Sequence, residues 1–349
     1  MRVRIVCYED VNLWILGKFA LRLREHLAAL GVDVDIAKTA DPAADVNHHI
    51  IYLAYDGRRS RLDTMMITHV DTEAKFDLVR RQLDGGAVGI CMSSDTARIL
   101  ARSGVRRDRL GYVNPAHDFV VKPRKLVIGI TSKVQPTGCK RERMLIEIVD
   151  RVSPDDFKFS IMGSGWDDIV EVMTSKGVEV DYCDHFDRES YRAMMPGLDY
   201  YLYFGQDEGS MGFVDALAAG IPTIVTPQGF HLDAKGGITF PFNETWELAR
   251  ILNGIAEERR RLTRSVGTWT WAEYAARHLR IWEYLRRRHD RAPVPDSLWK
   301  AVREQGLARS GAITRTQTAV CRATHDTVRS VSTLRRRIQR FAAHRLTSQ

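Results

Sequence analysis

Short apolar runs alternate with amphipathic stretches through most of this chain, and few folds accommodate that rhythm. The apolar runs Val3–Tyr8, Val32–Ala37, His49–Tyr55, Met65–His69, Ala87–Met92 and Leu110–Val113 read as strands, with helical periodicity over Leu16–Leu30, Thr72–Leu83 and Asp95–Ala101. After the charged, proline-containing connector at 119–125 a second series begins. Its strands are Leu126–Ile130, Phe157–Met162, Val178–Cys183, Tyr200–Phe204 and Thr223–Val225, and its helices lie near Arg141–Val152, Asp167–Ser175, Glu189–Met194 and Gly212–Ala219. Strands that alternate with helices form a parallel sheet covered on both faces. The chain is therefore expected to be α/β, with two Rossmann-like, doubly wound domains facing a cleft, since ligands of such sheets sit outside the carboxyl ends of the strands. The expected boundaries are 1–121 and 122–268, with a helix over 269–290 that crosses back to the first domain and a basic helical extension over 291–349. A chain of 349 residues is long enough for two such cores.

The charge is unevenly placed. Residues 286–349 hold 15 Lys/Arg and 4 Asp/Glu, so a chain of net charge +8 has a body of 285 residues at −3. Within 325–349, Val328, Val331, Leu334, Ile338 and Phe341 recur at helical steps among arginines. That pattern reads as a basic amphipathic helix suited to an anionic membrane surface, or one that packs on the body or a partner. Interleaved aromatics are nearly absent, which argues against nucleic acid. The opening Met1-Arg2-Val3-Arg4-Ile5-Val6 reads as a first strand rather than a secretion signal, and no run approaches the roughly 18 apolar residues of a membrane span. Five scattered cysteines without CxxC spacing fit a reducing compartment and suggest no metal site. The expected location is cytoplasmic, with peripheral attachment to the inner membrane face through the tail.

Chemistry concentrates in Asp207-Glu208-Gly209-Ser210-Met211-Gly212-Phe213-Val214-Asp215 and the small-residue helix that follows, closed by Gly220 before the buried Ile221–Val225. Backbone N–H groups at a helix N-terminus receive an anion, and flanking carboxylates accept from hydroxyls. An anion beside several hydroxyls describes a nucleotide sugar. The plainer reading makes Asp207 and Glu208 solvated loop charges and Asp215 a complement to a helix dipole, worth about 0.3–1 kcal/mol.

With this loop and two doubly wound halves, the chain resembles glycosyltransferases of the GT-B fold, most closely the retaining family 4 type. In that family two acidic residues separated by seven positions precede a small-residue helix ending in glycine. Asp215 stands at the second acidic position, with Asp in place of the usual Glu. At the first, Asp207 has the expected spacing and Glu208 has the expected following glycine. The resemblance implies that Glu208, or else Asp207, accepts hydrogen bonds from the transferred sugar, and that Asp215 holds the ribose. It further implies that Gly209, Ser210, Met211, Gly212 and Phe213 form the donor-binding loop. An Arg and a Lys follow the first strand of the family's second domain. Lys133 stands where that Arg would be and Lys140 matches the Lys, so both are expected to stabilise the leaving diphosphate. His69, ending a buried strand, is implied to contact the sugar or the reaction centre, against the plainer reading of a polar strand cap.

The GxGxxG dinucleotide fingerprint, the Walker phosphate loop, the GxSxG nucleophile turn and the HExxH helix are all absent, which removes the main support for dehydrogenase, phosphoryl-transfer, esterase and zinc-protease readings. The resemblance implies transfer of a sugar from a nucleotide-diphosphate-sugar donor to a glycan, a lipid-linked or another small acceptor, with retention and no obligatory metal or cofactor. The alternatives are a hydrolysing nucleotide-sugar epimerase on the same fold and a non-catalytic scaffold that works through its tail.

Overall fold

The computed structural model describes residues 1–57, 60–118 and 122–289. The chain forms two compact units, Met1–Ala116 joined by the segment from Trp271, and His117–Thr270. The basic extension of 291–349, including the helix expected over 325–349, lies outside the described residues.

The first unit contains β1 (Arg2–Val6), α1 (Ile15–Ala29), β2 (Asp33–Ala37), β3 (Val46–His49), β4 (Asp63–Ile67), α2 (Glu73–Asp84), β5 (Val88–Cys91), α3 (Ser94–Arg102) and β6 (Leu110–Tyr112). All six strands run parallel in the order β2-β1-β3-β4-β5-β6. Every residue of β3, β4 and β5 is buried, as a sheet covered on both faces demands. The strand expected at His49–Tyr55 is displaced. The ladder uses Val46–His49, and Tyr52–Ala54 form a 3₁₀ turn instead. The polar sequence Asn47-His48-His49 hides the strand from a hydrophobicity reading, yet all three side chains are buried. Asn47 donates to the Asp41 carbonyl and to Asp63, and His48 Nδ1 pairs with Thr64 Oγ1.

The second unit contains β7 (Leu126–Thr131), α4 (Met144–Val149), β8 (Phe157–Met162), α5 (Asp167–Ser175), β9 (Glu179–Cys183), α6 (Arg188–Met194), β10 (Tyr200–Tyr203), α7 (Met211–Ala218), β11 (Thr223–Val225), β12 (Phe240–Pro241) and α8 (Thr245–Ser265). Its parallel sheet has the order β12-β11-β10-β7-β8-β9. The direction of winding reverses between β7 and β10, so the loops after these two strands flank the crevice where such sheets take ligands. Lys133 and Lys140 lie on one of those loops, and Asp207 to Ser210 on the other.

Helix α9 (Trp271–His289) belongs to the first unit. Its Trp271 and Tyr274 meet Phe19 of α1 edge-on at 5.2 and 5.6 Å, and the fully buried Trp282 donates to Thr64 Oγ1 of β4 at 3.1 Å. Aromatic pairs of this geometry contribute about 0.5–1.5 kcal/mol each beyond the area they bury. Among the described residues no helix is long and apolar enough to cross a membrane.

Candidate functional site

The loop after β7 is tied to the loop after β10 by hydrogen bonds within the protein. Gln206 N–H donates to the Cys139 carbonyl at 2.7 Å. Arg141 Nε donates to the Phe204 carbonyl at 2.6 Å and its Nη1 to the Asn243 carbonyl at 2.7 Å. Arg141 has φ of 48°, a left-handed backbone that costs a non-glycine residue on the order of 1–3 kcal/mol, and these two bonds help to hold it there. Burial lowers the pKa of its guanidinium.

That turn sets Lys140 against the acidic loop. Lys140 Nζ donates to Asp207 Oδ2 at 2.5 Å and to the Tyr203 hydroxyl at 2.7 Å, and Tyr203 in turn donates to Asp207 at 2.7 Å. Gly209 N–H also donates to this carboxylate, at 3.0 Å. Burial works to raise the Asp207 pKa, but the bonds from Lys140, Tyr203 and Gly209 outweigh it and hold the carboxyl below its ordinary range. Burial and the same carboxylate push the Tyr203 phenol up. An ammonium has three donors, and two are used here.

The next turn is set by a buried histidine. Ser210 N–H donates to His231 Nε2 at 2.9 Å, and His231 Nδ1 lies 3.0 Å from the Thr226 carbonyl. A ring nitrogen that accepts must be bare, so the imidazole is neutral with its proton on Nδ1, directed at Thr226. Burial lowers the His231 pKa and favours that form. Phe213 covers the ring at 4.2 Å between centroids. Gly209 passes so close, with φ of +120°, that a Cβ would stand 2.9 Å from the imidazole.

Ser210 is the N-cap of α7, yet its hydroxyl does not cap the helix. It pairs with the buried Tyr201 hydroxyl at 2.6 Å, which also meets Thr131 Oγ1 at 2.9 Å. Burial pushes the Tyr201 phenol up to about 12. The amides of Met211 and Gly212 find no hydrogen-bond partner among the described residues. At Gly212 a methyl group would overlap Thr131 Oγ1 and the Tyr201 hydroxyl, so only glycine lets the helix start this close to β7 and β10.

These amides border a cavity of about 620 Å³. Lys133 lines one side, and Ser210, Met211, Gly212 and Asp215 line another. Ser164, Asp184, His185, Phe186 and Tyr191 are among the other residues that line it. Asp215 accepts from the Tyr191 hydroxyl at 2.5 Å and is otherwise exposed. Trp166, in the Ser164-Gly165-Trp166 turn, is fully buried and donates to the Ser132 carbonyl at 2.6 Å, so it braces the loop after β7 from beneath.

The structure thus gathers Lys133, Ser210, Met211, Gly212 and Asp215 around one cavity and places Lys140 and Asp207 together in an ion pair beside the same loop. Phe213 points into the core. The Glu208 side chain is exposed and has no hydrogen-bond partner among the described residues, while its carbonyl accepts from Phe230 N–H at 3.1 Å. His69 belongs to the first unit, two residues past β4, with an exposed side chain and a carbonyl that accepts from Tyr52 at 2.9 Å. Sequence reading missed Tyr201, Tyr203 and Tyr191, and it gave His231, in the run 226–233 that leaves β11 toward the expected cleft, no role of its own. The first two had a signal, since tyrosines at i and i+2 of a strand point to one face and stand directly before an acidic loop. Among the described residues no group of three or more His, Cys, Asp and Glu side chains is placed to hold a metal ion.

No family model and no curated protein matches the chain. Among solved structures it is similar to the Anabaena protein HepE in complex with UDP and glucose, at 13% identity over 91% of this chain and 100% of that one, with a TM-score of 0.32. It is also similar to WaaG, a glycosyltransferase involved in lipopolysaccharide biosynthesis, at 14% identity over 88% of this chain and 100% of that one, with a TM-score of 0.32. The lipopolysaccharide outer core galactosyltransferase WaaB, in its apo form, is 11% identical over 79% of this chain and 97% of that one, again with a TM-score of 0.32. At these identities and scores the likeness carries no argument: the two doubly wound sheets stand on their own strand order, and the chemistry rests on the residues around the cavity.

Proposed function

We propose that this chain is a glycosyltransferase of the GT-B kind, which binds a nucleotide-diphosphate sugar in its second unit and transfers the sugar to a glycan, lipid-linked or other small acceptor. The observation that carries the reading is the start of α7. The capping hydroxyl of Ser210 is committed to Tyr201, and the Met211 and Gly212 amides stand open at a helix N-terminus beside a lysine-lined cavity. Such amides and a cation suit a diphosphate. Asp215, steadied by Tyr191, is suited to accept from ribose hydroxyls, and Phe186 and His185 offer flat surfaces for a base.

In the proposed reaction the bond between the anomeric carbon and the phosphate oxygen breaks, and a bond from the acceptor oxygen forms on the same face. The acceptor proton passes to the leaving phosphate. Lys133, the third donor of Lys140 and the α7 amides offset the charge that develops on that phosphate. Glu208, with no protein partner for its carboxylate among the described residues, is the side chain we assign to the hydroxyls of the transferred sugar. Asp207 is already occupied in holding Lys140. We assign His69 to the sugar or the reaction centre, and residues 325–349 to an anionic membrane surface on the cytoplasmic side.

A thermal-shift panel of UDP, GDP, ADP, CMP and TDP tests the donor site. Selective stabilisation by one nucleotide, on the order of 5–10 °C at a hundredfold excess over Kd and reduced in Lys133→Ala, supports the reading and identifies the base. No response from any nucleotide overturns it. Turnover with the matching sugar donor, retained nucleotide binding and lost transfer in Glu208→Gln then separate a transferase from a binding protein.

A further inference from the structure

The first unit holds a second cavity, of about 310 Å³, that the reaction proposed above does not use. It lies at the amino-terminal edge of the sheet. Arg61 and Leu62 directly precede β4, Gly86 comes two residues before β5, and Arg109 directly precedes β6. A doubly wound sheet takes its usual ligand at the other edge. Five arginines from three parts of the chain surround the space: Arg61, Arg106, Arg109, Arg286 and Arg288. Among the described residues Asp108 is the one carboxylate in the lining; it pairs with Arg106 at 2.7 Å and meets Arg288 at 3.4 Å. Arg109 donates to the Gly86 carbonyl at 2.9 Å, and Arg61 reaches His289 Nδ1 at 3.1 Å, so the lining is braced from both ends. Beneath the guanidinium groups lie Leu62, Val88 and Leu285.

Arginines in the last turn of α9 complement the negative end of that helix, which accounts for Arg286 and Arg288. It does not account for Arg61, Arg106 and Arg109, which come from other elements and face the same space. Guanidinium groups gathered from separate elements around one space repel one another, and an anion that joins them offsets that cost. Guanidinium forks match phosphate oxygens bidentately, and an apolar floor suits the organic part of a phosphate ester. We propose that this cavity is a binding site for a phosphate-bearing anion, separate from the cavity at α7. Its source is either a soluble phosphate ester or the headgroup of a phospholipid.

The test is hydrogen exchange on the full chain, with and without inorganic pyrophosphate, and in parallel with vesicles of phosphatidylglycerol in phosphatidylcholine. Exchange resolved by segment separates this site from the one at α7. Pyrophosphate is expected to protect residues 106–110 and 285–289 saturably. Arg286→Glu/Arg288→Glu is expected to abolish that protection while leaving residues 207–215 unchanged. Arg286→Gln, a milder change at a half-buried position, is expected to weaken pyrophosphate on the order of tenfold with the melting temperature preserved. Protection by both pyrophosphate and vesicles assigns the phosphate to a lipid headgroup, and protection by pyrophosphate alone assigns it to a soluble ester. Absence of protection by pyrophosphate, protection by vesicles only, or protection that persists in the double variant overturns the site.

Discussion

The Ser210 amide and the His231 imidazole form the buried hydrogen bond that fixes where α7 begins, with the proton held by the backbone and the ring nitrogen accepting at 2.9 Å. Protonating Nε2 would turn that acceptor into a donor facing another donor. Burial holds the folded-state pKa of His231 below the ordinary histidine value of 6.5, so the bond is intact above that value. It is lost as pH falls through the lowered folded value, where the folded ring takes up a proton on Nε2, and stability already declines below 6.5 because the unfolded chain protonates first. Nucleotide affinity of the second unit should therefore weaken as pH falls below 6.5. In His231→Gln, whose amide oxygen can accept in place of Nε2, that acid limb should flatten. In His231→Leu the Ser210 amide is left without an acceptor, at a cost of about 1–3 kcal/mol of stability. Binding isotherms at pH 8, 6.5 and 5 on the three proteins decide the matter, and an unchanged acid limb in His231→Gln would rule the histidine out.

Gly212→Ala places a methyl group against Thr131 Oγ1 and the Tyr201 hydroxyl, both of which belong to rigid strands. The helix start must shift, with an overpacking cost on the order of 1–3 kcal/mol, and the open amides move with it. Nucleotide binding should fall more steeply than thermal stability. Gly220→Ala is the control, since a Cβ there meets nothing within 4 Å and only the φ of +73° is strained. It should cost stability without moving the nucleotide Kd, and equal effects on binding from both variants would count against close approach at Gly212.

The ion pair between Lys140 and Asp207 is tied to the Tyr203 hydroxyl, so its members should not behave independently. Asp207→Asn removes the charge facing Lys140, and Tyr203→Phe removes one donor and one acceptor. Each should destabilise the second unit by about 1–2 kcal/mol, since hydrogen bonds to charged groups of this partial burial are worth about 1.5–3 kcal/mol before solvent screening. The double variant should lose less than the sum, which denaturant unfolding of the four proteins measures. Because the folded Asp207 pKa lies below its ordinary value, this contribution is present above pH 4 and disappears as pH falls through the lowered folded value.

The two doubly wound units were legible because parallel strands buried on both faces read as short apolar runs, as Met65, Met66 and Ile67 do. β3 was misplaced because its buried residues are Asn47, His48 and His49, whose burial depends on partners distant in sequence such as Asp63 and Thr64. At the α7 site the glycines and the acidic pair stood out from the local sequence, and Lys133 only from its place in the pattern of the resembled family. Two roles did not. Asp207 and Glu208 are adjacent in sequence, and only the approach of Lys140 from 67 residues away separates a committed carboxylate from an exposed one. His231 lies 21 residues beyond Ser210, and no periodicity connects them.

A second histidine group makes the first unit acid-sensitive by a different route. His48 of β3 and His278 of α9 are fully buried with rings 5.0 Å apart, and Thr64 links His48 to Trp282 of the same helix. Nε2 of both histidines is buried and has no hydrogen-bond partner among the described residues. Burial lowers the His278 pKa to about 4 and that of His48 well below its ordinary value, with the neighbouring His278 adding to the effect. Both rings are thus neutral in the folded unit at pH 7, and the unfolded chain takes up more protons as pH drops below 6.5. Stability is complete above that value and falls as pH approaches 4; His278 alone contributes a loss of ~3 kcal/mol across that window. His278→Phe keeps an aromatic ring against Tyr274 and Trp282 and removes the titrating group. Urea unfolding followed by tryptophan fluorescence at pH 7.5, 6 and 5 should show a shallower decline in that variant than in the parent chain. The His231→Gln protein should retain the steep decline of the first unit. A parent-like decline in His278→Phe would transfer the acid sensitivity from the α9 contact to other groups.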